Sequence, residues 1–475
     1  MRNKGFIVAT LIVMLITVLC TGCKKEKLLT SGGELRYSTD TLTFDTVFTA
    51  QGSFTTQVKL YNPQNQKVNI SAIRLEQGNQ SQFHLNVNGI SGNNVTNIEL
   101  AANDSTYIFA TVNITPGNID IPFVVEDKII ATLNGKDYEL PLLAYGQNAY
   151  YITDSLLETS QTWKTDKPYV IIHSAQVKEN TTLTIPAGCR IYMHADSRLY
   201  VDGTLVVNGT KKDSVIFQGD RLDRKYFGNE GYPGEWGGLY FSPKSRKSVL
   251  NYAILRNCGS TTGIGLAAAI WATPDSVNDN DFQLRMYSTI IENSIGYGIV
   301  GFGSTIYGQN CLVHNCGAQG LATFEGGQYY FDNCNFVTYG NKKISHIDNP
   351  TVALINYRDI DDYNYVAGPL DAQLRNCVIW GSLETECFIN KKGNSTVDVK
   401  LINCAIRSSE QIPSYVTSTN NIINTDPSFK DANGGDFRLN ENSPLKDKGI
   451  SISGLDRDLD DKPRTGVPDI GCYEY

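Results

Sequence analysis

One phrase recurs along the second half of this chain: Asn-Cys, or a substituted pair, followed by alternating apolar residues. The copies begin at Tyr252, Ser288, Asn310, Asn333, Asn376 and Asn403. Successive copies are 36, 22, 23, 43 and 27 residues apart. A spacing in the twenties, with longer steps where a loop is inserted, is typical of a solenoid of stacked coils. The repeat constrains the fold of most of the chain but specifies no reaction.

Alternate residues of a strand face opposite sides, so one small and one large residue of each copy are predicted to share the interior face. These pairs are Ala253/Leu255, Thr289/Ile291, Cys311/Val313, Cys334/Phe336, Cys377/Ile379 and Cys404/Ile406. The residue between the members of each pair could face outward. The Asn at the start of a copy is expected to stack on the next, amide to amide. The fold class predicted is all-β, with a right-handed parallel β-helix over residues 149–425.

Nine cysteines follow Cys23, and four of them fall in the predicted interior column. Stacked side chains point in parallel, which is unfavourable for the dihedral angle of a disulfide. We therefore expect Cys311, Cys334, Cys377 and Cys404 to be reduced, buried and apolar in character. No Cys-x-x-Cys occurs after Cys23 and the five His are scattered, so no structural zinc site is predicted.

The N-terminus has the pattern of an export signal. Arg2 and Lys4 precede an apolar run that ends at Cys20-Thr21-Gly22-Cys23. The segment resembles a bacterial lipoprotein signal, in which Cys23 becomes the lipid-modified first residue. It departs from that family at Cys20, where Leu is usual, and an ordinary cleaved signal is the alternative. The resemblance implies a signal peptide at 1–22 and an outer-membrane lipid partner, since Lys24 rather than Asp follows Cys23.

The composition fits an exported chain that does not bind nucleic acid. Without Arg2 and Lys4, 39 basic residues remain against 49 acidic ones, so the net charge after cleavage is −10. Such a balance is unfavourable for a polyanionic partner. Residues 23–33 are polar and charged and are predicted to form a tether.

Residues 34–148 differ from the repeat region. Seven or eight short apolar segments alternate with turn signals, among them Asn134-Gly135, a strong hairpin signal. This pattern predicts an immunoglobulin-like sandwich. The phrase Val58-Lys59-Leu60-Tyr61-Asn62-Pro63 resembles the second strand of exported Ig-like modules related to the ASPM/Hydin group. That resemblance implies a spacing or presenting role.

The C-terminal 50 residues contain four phrases in a fixed order. They are Asp426-Pro427-Ser428-Phe429, Phe437-Arg438-Leu439, Ser443-Pro444-Leu445-Lys446-Asp447-Lys448-Gly449 and Asp469-Ile470-Gly471-Cys472-Tyr473-Glu474. They resemble the C-terminal segment of bacterial β-helix proteins of the choice-of-anchor Q type, with Cys472 in place of the usual Ala. The resemblance implies that residues 426–475 cap the open end of the solenoid, and it implies no catalysis.

Two segments are candidates for binding glycan. The first comprises Asp220, Arg221, Arg224, Glu235 and Trp236, where Trp236 could stack on a sugar and Asp220 and Glu235 could form an acid-base pair. A loop ion pair and a buried Trp explain the same residues without any ligand.

The second candidate lies in the insertion between the copies at 333 and 376. It comprises Arg358, Asp359, Asp361, Asp362 and Tyr363. Long loops inserted in a solenoid often carry its binding function. A solvated acidic loop is the alternative.

The run Asp456–Asp461 has the Asp-x-Asp-x-Asp spacing of a calcium loop. Asp461 stands where that loop needs Gly, and Val467 stands where it needs Glu. Calcium is therefore the only cofactor that the sequence brings into question, and pairing between Asp and Arg explains the run equally well.

Two functional hypotheses stay open. The sequence favours a non-catalytic, lipid-anchored envelope protein that displays a β-helix for binding glycan or another surface partner. The alternative is a polysaccharide lyase or glycoside hydrolase with its site near 220–236 or in the 340–370 insertion. That alternative depends on fold analogy, which is a weak argument for function, and no catalytic residue can be named.

Overall fold

A computed structural model describes residues 27–117, 122–222, 231–260, 265–275 and 281–475. Within these ranges the chain contains no α-helix, and its helical content is the 3₁₀ turn Gly78–Gln80. No helix in the described ranges therefore has the length and hydropathy to cross a bilayer. The chain divides into two compact units, with the boundary between Gln147 and Asn148.

The first unit consists of two five-stranded sheets. Its strands are β1 (Arg36–Tyr37), β2 (Leu42–Phe48), β3 (Thr56–Tyr61), β4 (Val68–Leu75), β5 (Phe83–Val87), β6 (Ile90–Ser91), β7 (Asn94–Leu100), β8 (Ser105–Val112), β9 (Phe123–Leu133) and β10 (Lys136–Gln147). The sheet orders are β1-β3-β8-β5-β6 and β2-β10-β9-β4-β7. Both sheets contribute to one core, with Leu60 and Phe83 from the first and Phe44 and Ile70 from the second. The hairpin predicted at Asn134-Gly135 is confirmed, because β9 and β10 pair antiparallel across it.

Part of the expected tether packs on the first unit instead. Leu29 donates its N–H to the carbonyl of Lys67 at 2.8 Å. Tyr138 donates its hydroxyl to Gly33 O at 2.8 Å, and Asn134 Nδ2 donates to Gly32 O at 2.9 Å. The tether prediction is therefore wrong for residues 28–33, which hydrogen bonds hold against the unit.

The second unit contains all the remaining strands. The first group is β11 (Tyr150–Leu157), β12 (Gln161–Thr162), β13 (Tyr169–Val177), β14 (Thr182–Pro186), β15 (Arg190–Val201), β16 (Thr204–Asn208), β17 (Val215–Gly219), β18 (Gly238–Phe241), β19 (Ser248–Asn251), β20 (Ala253–Arg256) and β21 (Ala268–Ala272). The second group is β22 (Leu284–Tyr287), β23 (Ile290–Glu292), β24 (Tyr297–Phe302), β25 (Thr305–Gln309), β26 (Leu312–His314), β27 (Leu321–Phe324), β28 (Gly327–Asp332), β29 (Asn335–Thr338) and β30 (Val352–Ile355). The third group is β31 (Tyr357–Asp359), β32 (Tyr365–Ala367), β33 (Leu370–Arg375), β34 (Val378–Gly381), β35 (Cys387–Asn390), β36 (Val397–Ile402), β37 (Ala405–Ile406), β38 (Thr417–Thr419), β39 (Ile422–Ile423), β40 (Phe429–Asp431) and β41 (Asp436–Leu439).

Of these 31 strands, 27 form two long parallel sheets of 17 and 10 strands, and β31-β32 and β40-β41 form two-stranded antiparallel sheets. From β19 to β30 each coil contributes one strand to the ten-stranded sheet and two to the larger sheet. We call the three positions face C (β19, β22, β25, β28), face A (β20, β23, β26, β29) and face B (β21, β24, β27, β30). Each strand pairs in parallel with its equivalent in the next coil. The all-β prediction is confirmed, and the sheets are those of a parallel β-helix-like fold.

The interior column agrees with the prediction. The small and large members of the repeat are buried in one continuous core, from Ala253 and Leu255 to Cys404 and Ile406. All nine cysteines from Cys189 to Cys472 are buried and free of disulfides in the part of the chain that is described. Burial raises the pKa of the Cys334 and Cys404 thiols well above the ordinary value, so both remain neutral.

The Asn column behaves differently from the prediction. Asn310, Asn333, Asn376 and Asn403 all have φ between 48 and 52°. Asn is one of the few residues that tolerates this left-handed conformation, so it suits the turn from face C to face A. Of the expected amide-to-amide stack, the structure shows the bond from Asn376 Nδ2 to Asn333 Oδ1, at 3.0 Å.

The Asn side chains instead hold the C-terminal segment (426–475). Asn403 Nδ2 donates to Lys448 O at 2.8 Å, and Asn376 Nδ2 donates to Ile450 O at 2.8 Å. Asn333 Nδ2 donates to the carbonyls of Asp469 and Gly471, both at 3.1 Å, and Asn310 Nδ2 donates to Arg457 O at 2.7 Å. Because these four Asn belong to successive coils, the segment lies along the side of the coils, whereas the sequence predicted that it closes their end.

The C-terminal segment also covers the outward column of face A. Leu312 and Val337 from face A, and Val378 from β34, which pairs with β29, share one apolar cluster with Phe437 and Leu459 from the segment. Leu312, Val378 and Ala405, which belong to the column predicted to face outward, therefore do so, but they pack under the segment rather than against water.

Candidate functional site

The first predicted glycan site does not assemble as expected. Trp236 is fully buried, and its Nε1 donates to Arg256 O at 2.7 Å. Trp236 therefore cannot stack on a sugar, and the prediction for this residue is wrong. Asp220 Oδ2 lies 2.6 Å from His194 Nδ1, and Glu235 Oε1 accepts the N–H of Tyr232 at 2.9 Å. Asp220 is thus held by a histidine of the preceding coil, and Glu235 by a local contact in its own loop.

Of the other two residues predicted for the first glycan site, one is exposed and one lies outside the described residues, as does the predicted lipidation site. Arg221 is exposed. Arg224 and the predicted lipidation site Cys23 lie outside the described residues. Glu235 would clash with any side chain at position 219, because a Cβ built on Gly219 lies 2.4 Å from Glu235 Oε2.

The second predicted site is an exposed hairpin formed by β31 and β32. Arg358 Nε pairs with Glu325 at 2.5 Å, and Asp359 pairs with Lys392 at 2.6 Å. Asp361 accepts four hydrogen bonds from the 363–364 turn, and the bond from Asn364 is the main cause that lowers its pKa. Tyr363 is 92% exposed, and Asp362 beside it is exposed.

The two predicted sites are far apart. The hairpin follows β30, which is four coils beyond β18 in the larger sheet. At about 4.8 Å per coil this is a separation of roughly 19 Å along the solenoid. The structure therefore does not bring them together into one site.

The run Asp456–Asp461 is held by internal partners. Asp458 is buried and accepts the N–H groups of Asp460, Lys462 and Glu474. Asp460 pairs with Arg438 and Lys211. These carboxylates serve as acceptors for groups of the C-terminal segment and, at Asp460, for Lys211 as well. This is the kind of internal pairing that the sequence left open.

A pocket of about 320 Å³ lies on the side of the coils, and we call it the flank pocket. Its lining residues are Arg256, Asn257, Glu292, Asn293, His314, Asn315, Asn341, Asn433, Gly434 and Gly435. All the lining side chains are polar or charged. The volume is in the range of small-ligand sites.

Three consecutive strands of face A supply the ionisable groups of the flank pocket. Arg256, Glu292 and His314 are the last residues of β20, β23 and β26, and they pair in register from coil to coil. Glu292 forms an ion pair with Arg256, and its Oε2 lies 3.3 Å from His314 Nε2. Phe437 packs against the His314 ring with a centroid distance of 5.2 Å. Stacking of the coils therefore brings together residues that are 58 positions apart in the sequence.

The flank pocket keeps Glu292 ionised. Burial by itself would raise the pKa of Glu292, but the hydrogen bond and charge of His314 and the charge of Arg256 outweigh it and hold the pKa at about 2. A carboxyl group with this pKa carries a permanent charge near neutral pH. It is a hydrogen-bond acceptor rather than a proton donor.

A column of amides lines the adjacent wall. Asn257, Asn293 and Asn315 follow the ionisable residues Arg256, Glu292 and His314, and they turn the chain toward face B with φ between 51 and 57°. Asn341 Nδ2 donates to Asn293 Oδ1 at 3.3 Å. Within the described part of the chain Asn315 Oδ1 is buried without a hydrogen-bond partner. An unsatisfied buried acceptor at a pocket wall is a group that a ligand hydroxyl could satisfy.

The sequence reasoning missed the flank pocket although a signal was present. Asn257-Cys258 and Asn315-Cys316 have the same Asn-Cys form as the main repeat. Glu292 and His314 occupy the same register position in successive copies. A search of that column for charged residues would have found them.

A second pocket of about 530 Å³ lies further along the second unit. Its lining residues are Trp380, Glu384, Arg407, Ser409, Asn424 and Asp426. The Arg407 guanidinium lies 5.7 Å from the centroid of the Trp380 ring. Glu384 and Asp426 are both exposed. Among the described residues no group of three or more His, Cys, Asp or Glu is arranged to hold a metal ion.

Comparison with known proteins gives only distant similarity. No protein-family model and no curated protein sequence matches the chain. Among solved structures, a family 123 glycoside hydrolase from Clostridium perfringens is 11% identical over 23% of this chain, with a TM-score of 0.17, and the chain spans about a quarter (26%) of its length.

Two further solved structures are similarly remote. The ASH/PapD-like domain of human CEP192 is 12% identical, with 27% of this chain and 92% of that chain covered and a TM-score of 0.18. XylC in complex with xylose is 9% identical, with 94% of this chain and 92% of that chain covered and a TM-score of 0.30. The function must therefore be argued from the residues of this chain.

Proposed function

We propose that this chain is a lipid-anchored cell-envelope protein whose β-helix binds glycan in the flank pocket without catalysing a reaction. The anchor is supported by the apolar N-terminal run that ends at Gly22-Cys23. Lipid modification of Cys23 would hold the protein at the outer membrane. The tether is then limited to the residues before Leu28.

The proposal includes a right-handed coil and an Ig-like first unit. Parallel strands of one sheet are connected right-handedly in nearly all proteins, which supports the hand of the coil. Two five-stranded sheets around one core support an Ig-like sandwich. The C-terminal phrases support a relationship to choice-of-anchor Q proteins.

The lining of the flank pocket carries the proposal of glycan binding. Sugar hydroxyls both donate and accept hydrogen bonds, and so do the amides of Asn293, Asn315 and Asn341. The ion pair of Arg256 with Glu292 places a fixed donor beside a fixed acceptor. Because the two charges compensate each other, a neutral sugar suits the pocket better than a charged one.

The same geometry is unfavourable for acid-base catalysis. A general acid needs a pKa near the working pH, and glycosidases raise it by placing the carboxyl group in an apolar site. Glu292 has the opposite perturbation, with a pKa of about 2. Its environment therefore fits recognition of a ligand rather than proton transfer to one.

Binding can be tested by titrating the purified chain against a panel of neutral and acidic polysaccharides in isothermal calorimetry. We expect a neutral polysaccharide to bind. Asn315→Ala and Glu292→Gln should each lower the affinity for that polysaccharide by at least tenfold. Asn420→Ala is the matched control, because Asn420 has the same left-handed backbone (φ 52°) and lies outside the flank pocket. Equal binding by all three variants would overturn the assignment.

The second pocket favours an alternative, a polysaccharide lyase or glycoside hydrolase. Two exposed carboxylates lie there beside Arg407 and Trp380, and a pair of carboxylates is the usual equipment of a glycosidase. The same polysaccharide panel would be followed for new reducing ends and for ultraviolet absorbance. Product formation that Glu384→Gln or Asp426→Asn abolishes would establish the enzyme instead.

A further inference from the structure

Two histidines at one corner of the second unit are each backed by an aspartate. His173 Nδ1 lies 2.8 Å from Asp154 Oδ2, and His194 Nδ1 lies 2.6 Å from Asp220 Oδ2. Ser174 Oγ donates a further hydrogen bond to Asp154 at 3.2 Å. The two His–Asp pairs belong to neighbouring parts of the same sheet.

The four residues follow one another along the solenoid axis. Asp154 is on β11, His173 on β13, His194 on β15, and Asp220 directly follows β17. Strands β11, β13, β15 and β17 are successive neighbours in the sheet. The order along the axis is therefore Asp, His, His, Asp, with the two imidazoles in the middle and a carboxylate on the outer side of each.

The strand register places His173 and His194 at neighbouring positions on adjacent strands. His194 is the register partner of Ile172, and the register of β13 and β15 shifts between Ile172 and Ser174. His173 lies at this irregularity with φ at 61°, so it departs from the regular alternation of the strand beside His194. Adjacent strands are about 4.8 Å apart. Zn–N bonds are about 2.1 Å long, so two imidazole nitrogens bound to one ion approach within about 4 Å, which side chains on adjacent strands can reach.

The hydrogen bonds determine which nitrogen is available. Donation from Nδ1 to a carboxylate leaves the lone pair on Nε2, and this second-shell arrangement is the one that metal-binding histidines almost always have. In the described residues no hydrogen bond involves the Nε2 of either ring. The side chains are 69% and 43% exposed for His173 and His194, so an ion from solvent can reach them.

We propose that His173 and His194 form a surface site for a divalent transition-metal ion of the class that imidazole prefers, such as Zn²⁺ or Cu²⁺. The two Nε2 atoms bind the ion and water completes its coordination. The carboxylates of Asp154 and Asp220 orient the rings and balance the two positive charges. The site is separate from the flank pocket, since none of its residues lines that pocket.

The chain offers a matched control. Of the three remaining His, His314 and His346 are buried, whereas His84 is an exposed residue on β5 of the first unit. The nine cysteines from Cys189 onward are buried and would not compete for the metal. Metal binding by an exposed imidazole alone would therefore be equally visible at His84.

The test uses the full chain purified without a histidine tag. Zn²⁺ binding would be measured by calorimetry, and the nitrogen coupling of bound Cu²⁺ by electron paramagnetic resonance. We expect one ion per chain and two coordinating nitrogens. His173→Asn and His194→Gln should each weaken binding at least tenfold. Asn is used at position 173 because φ there is 61°, a conformation that Asn tolerates.

The aspartates and His84 distinguish the site from adventitious binding. Asp154→Asn and Asp220→Asn should each lower the affinity for Zn²⁺ by about tenfold, because each removes a carboxylate that orients a metal-binding imidazole. His84→Ala should leave affinity and spectrum unchanged. A spectrum with one coordinating nitrogen, or variants at 173 and 194 that bind as the native chain does, would overturn the proposal.

Discussion

Replacement of Asn333 tests the role of the Asn column in holding the C-terminal segment. Asn333 is buried, with φ at 48°. Its Nδ2 donates to the carbonyls of Asp469 and Gly471, and its Oδ1 accepts from Asn376 Nδ2. Asn333→Ala removes all three hydrogen bonds. It also places Ala in a left-handed turn, a conformation that Asn tolerates better because of its short polar side chain.

The cost can be worked out from these contacts. An unsatisfied buried polar group costs about 1–3 kcal/mol. Water would hydrogen-bond to some of the groups that lose their partner. The three hydrogen bonds therefore account for about 2–3 kcal/mol in the free energy of unfolding. The left-handed conformation costs a non-Gly residue about 1 kcal/mol more. The expected loss for Asn333→Ala is therefore about 3–4 kcal/mol.

Two further variants separate the two contributions. Asn420→Ala changes an exposed Asn that has the same backbone conformation (φ 52°), and it should lose only the conformational part, about 1 kcal/mol. Asn333→Gly keeps the turn relaxed and should lose only the hydrogen-bond part. Urea unfolding gives the free energies, and amide exchange of residues 469–475 reports whether the segment detaches. If Asn333→Ala is no less stable than Asn420→Ala, the reasoning is refuted.

The remaining predictions concern the anchor, the thiols and the flank pocket. Cys23→Ser should leave the exported protein uncleaved or soluble, so that it no longer partitions into detergent. Cys334 and its three stacked partners should resist alkylation until the protein unfolds, and Cys334→Ala should lose about 1 kcal/mol through a small cavity. Because the pKa of Glu292 is lowered from 4.5 to about 2, its contribution to stability is complete above about pH 4.5 and is lost as the pH falls toward 2. In urea unfolding at a series of pH values, the free energy of unfolding of Glu292→Gln should therefore fall less between pH 4.5 and 2 than that of the native chain.

Each of these predictions has an opposing result. Unchanged detergent partitioning of Cys23→Ser would refute the lipid assignment. A disulfide between any two of the four stacked cysteines in native protein would contradict the interior column. An acid transition of Glu292→Gln identical to that of the native chain would show that His314 and Arg256 do not hold the carboxylate.

The interior of the solenoid could be read from the sequence because it depends on local geometry. Alternation along a strand is a property of the backbone, so Cys311 and Val313 had to share a face in any stacked coil. Asn at the turns likewise reflects a local preference, its tolerance of the left-handed conformation. The repeat of both signals every twenty-odd residues was sufficient to predict an all-β chain of stacked coils.

The candidate site required the tertiary structure, because its residues meet through stacking and through the return of a distant segment. Arg256, Glu292 and His314 are neighbours only in the coil register. Whether an outward side chain such as Val337 is covered is decided by Phe437, which lies 100 positions later. The sequence determines which way a side chain points. What it then meets, whether solvent, the C-terminal segment or a ligand pocket, is determined by long-range packing.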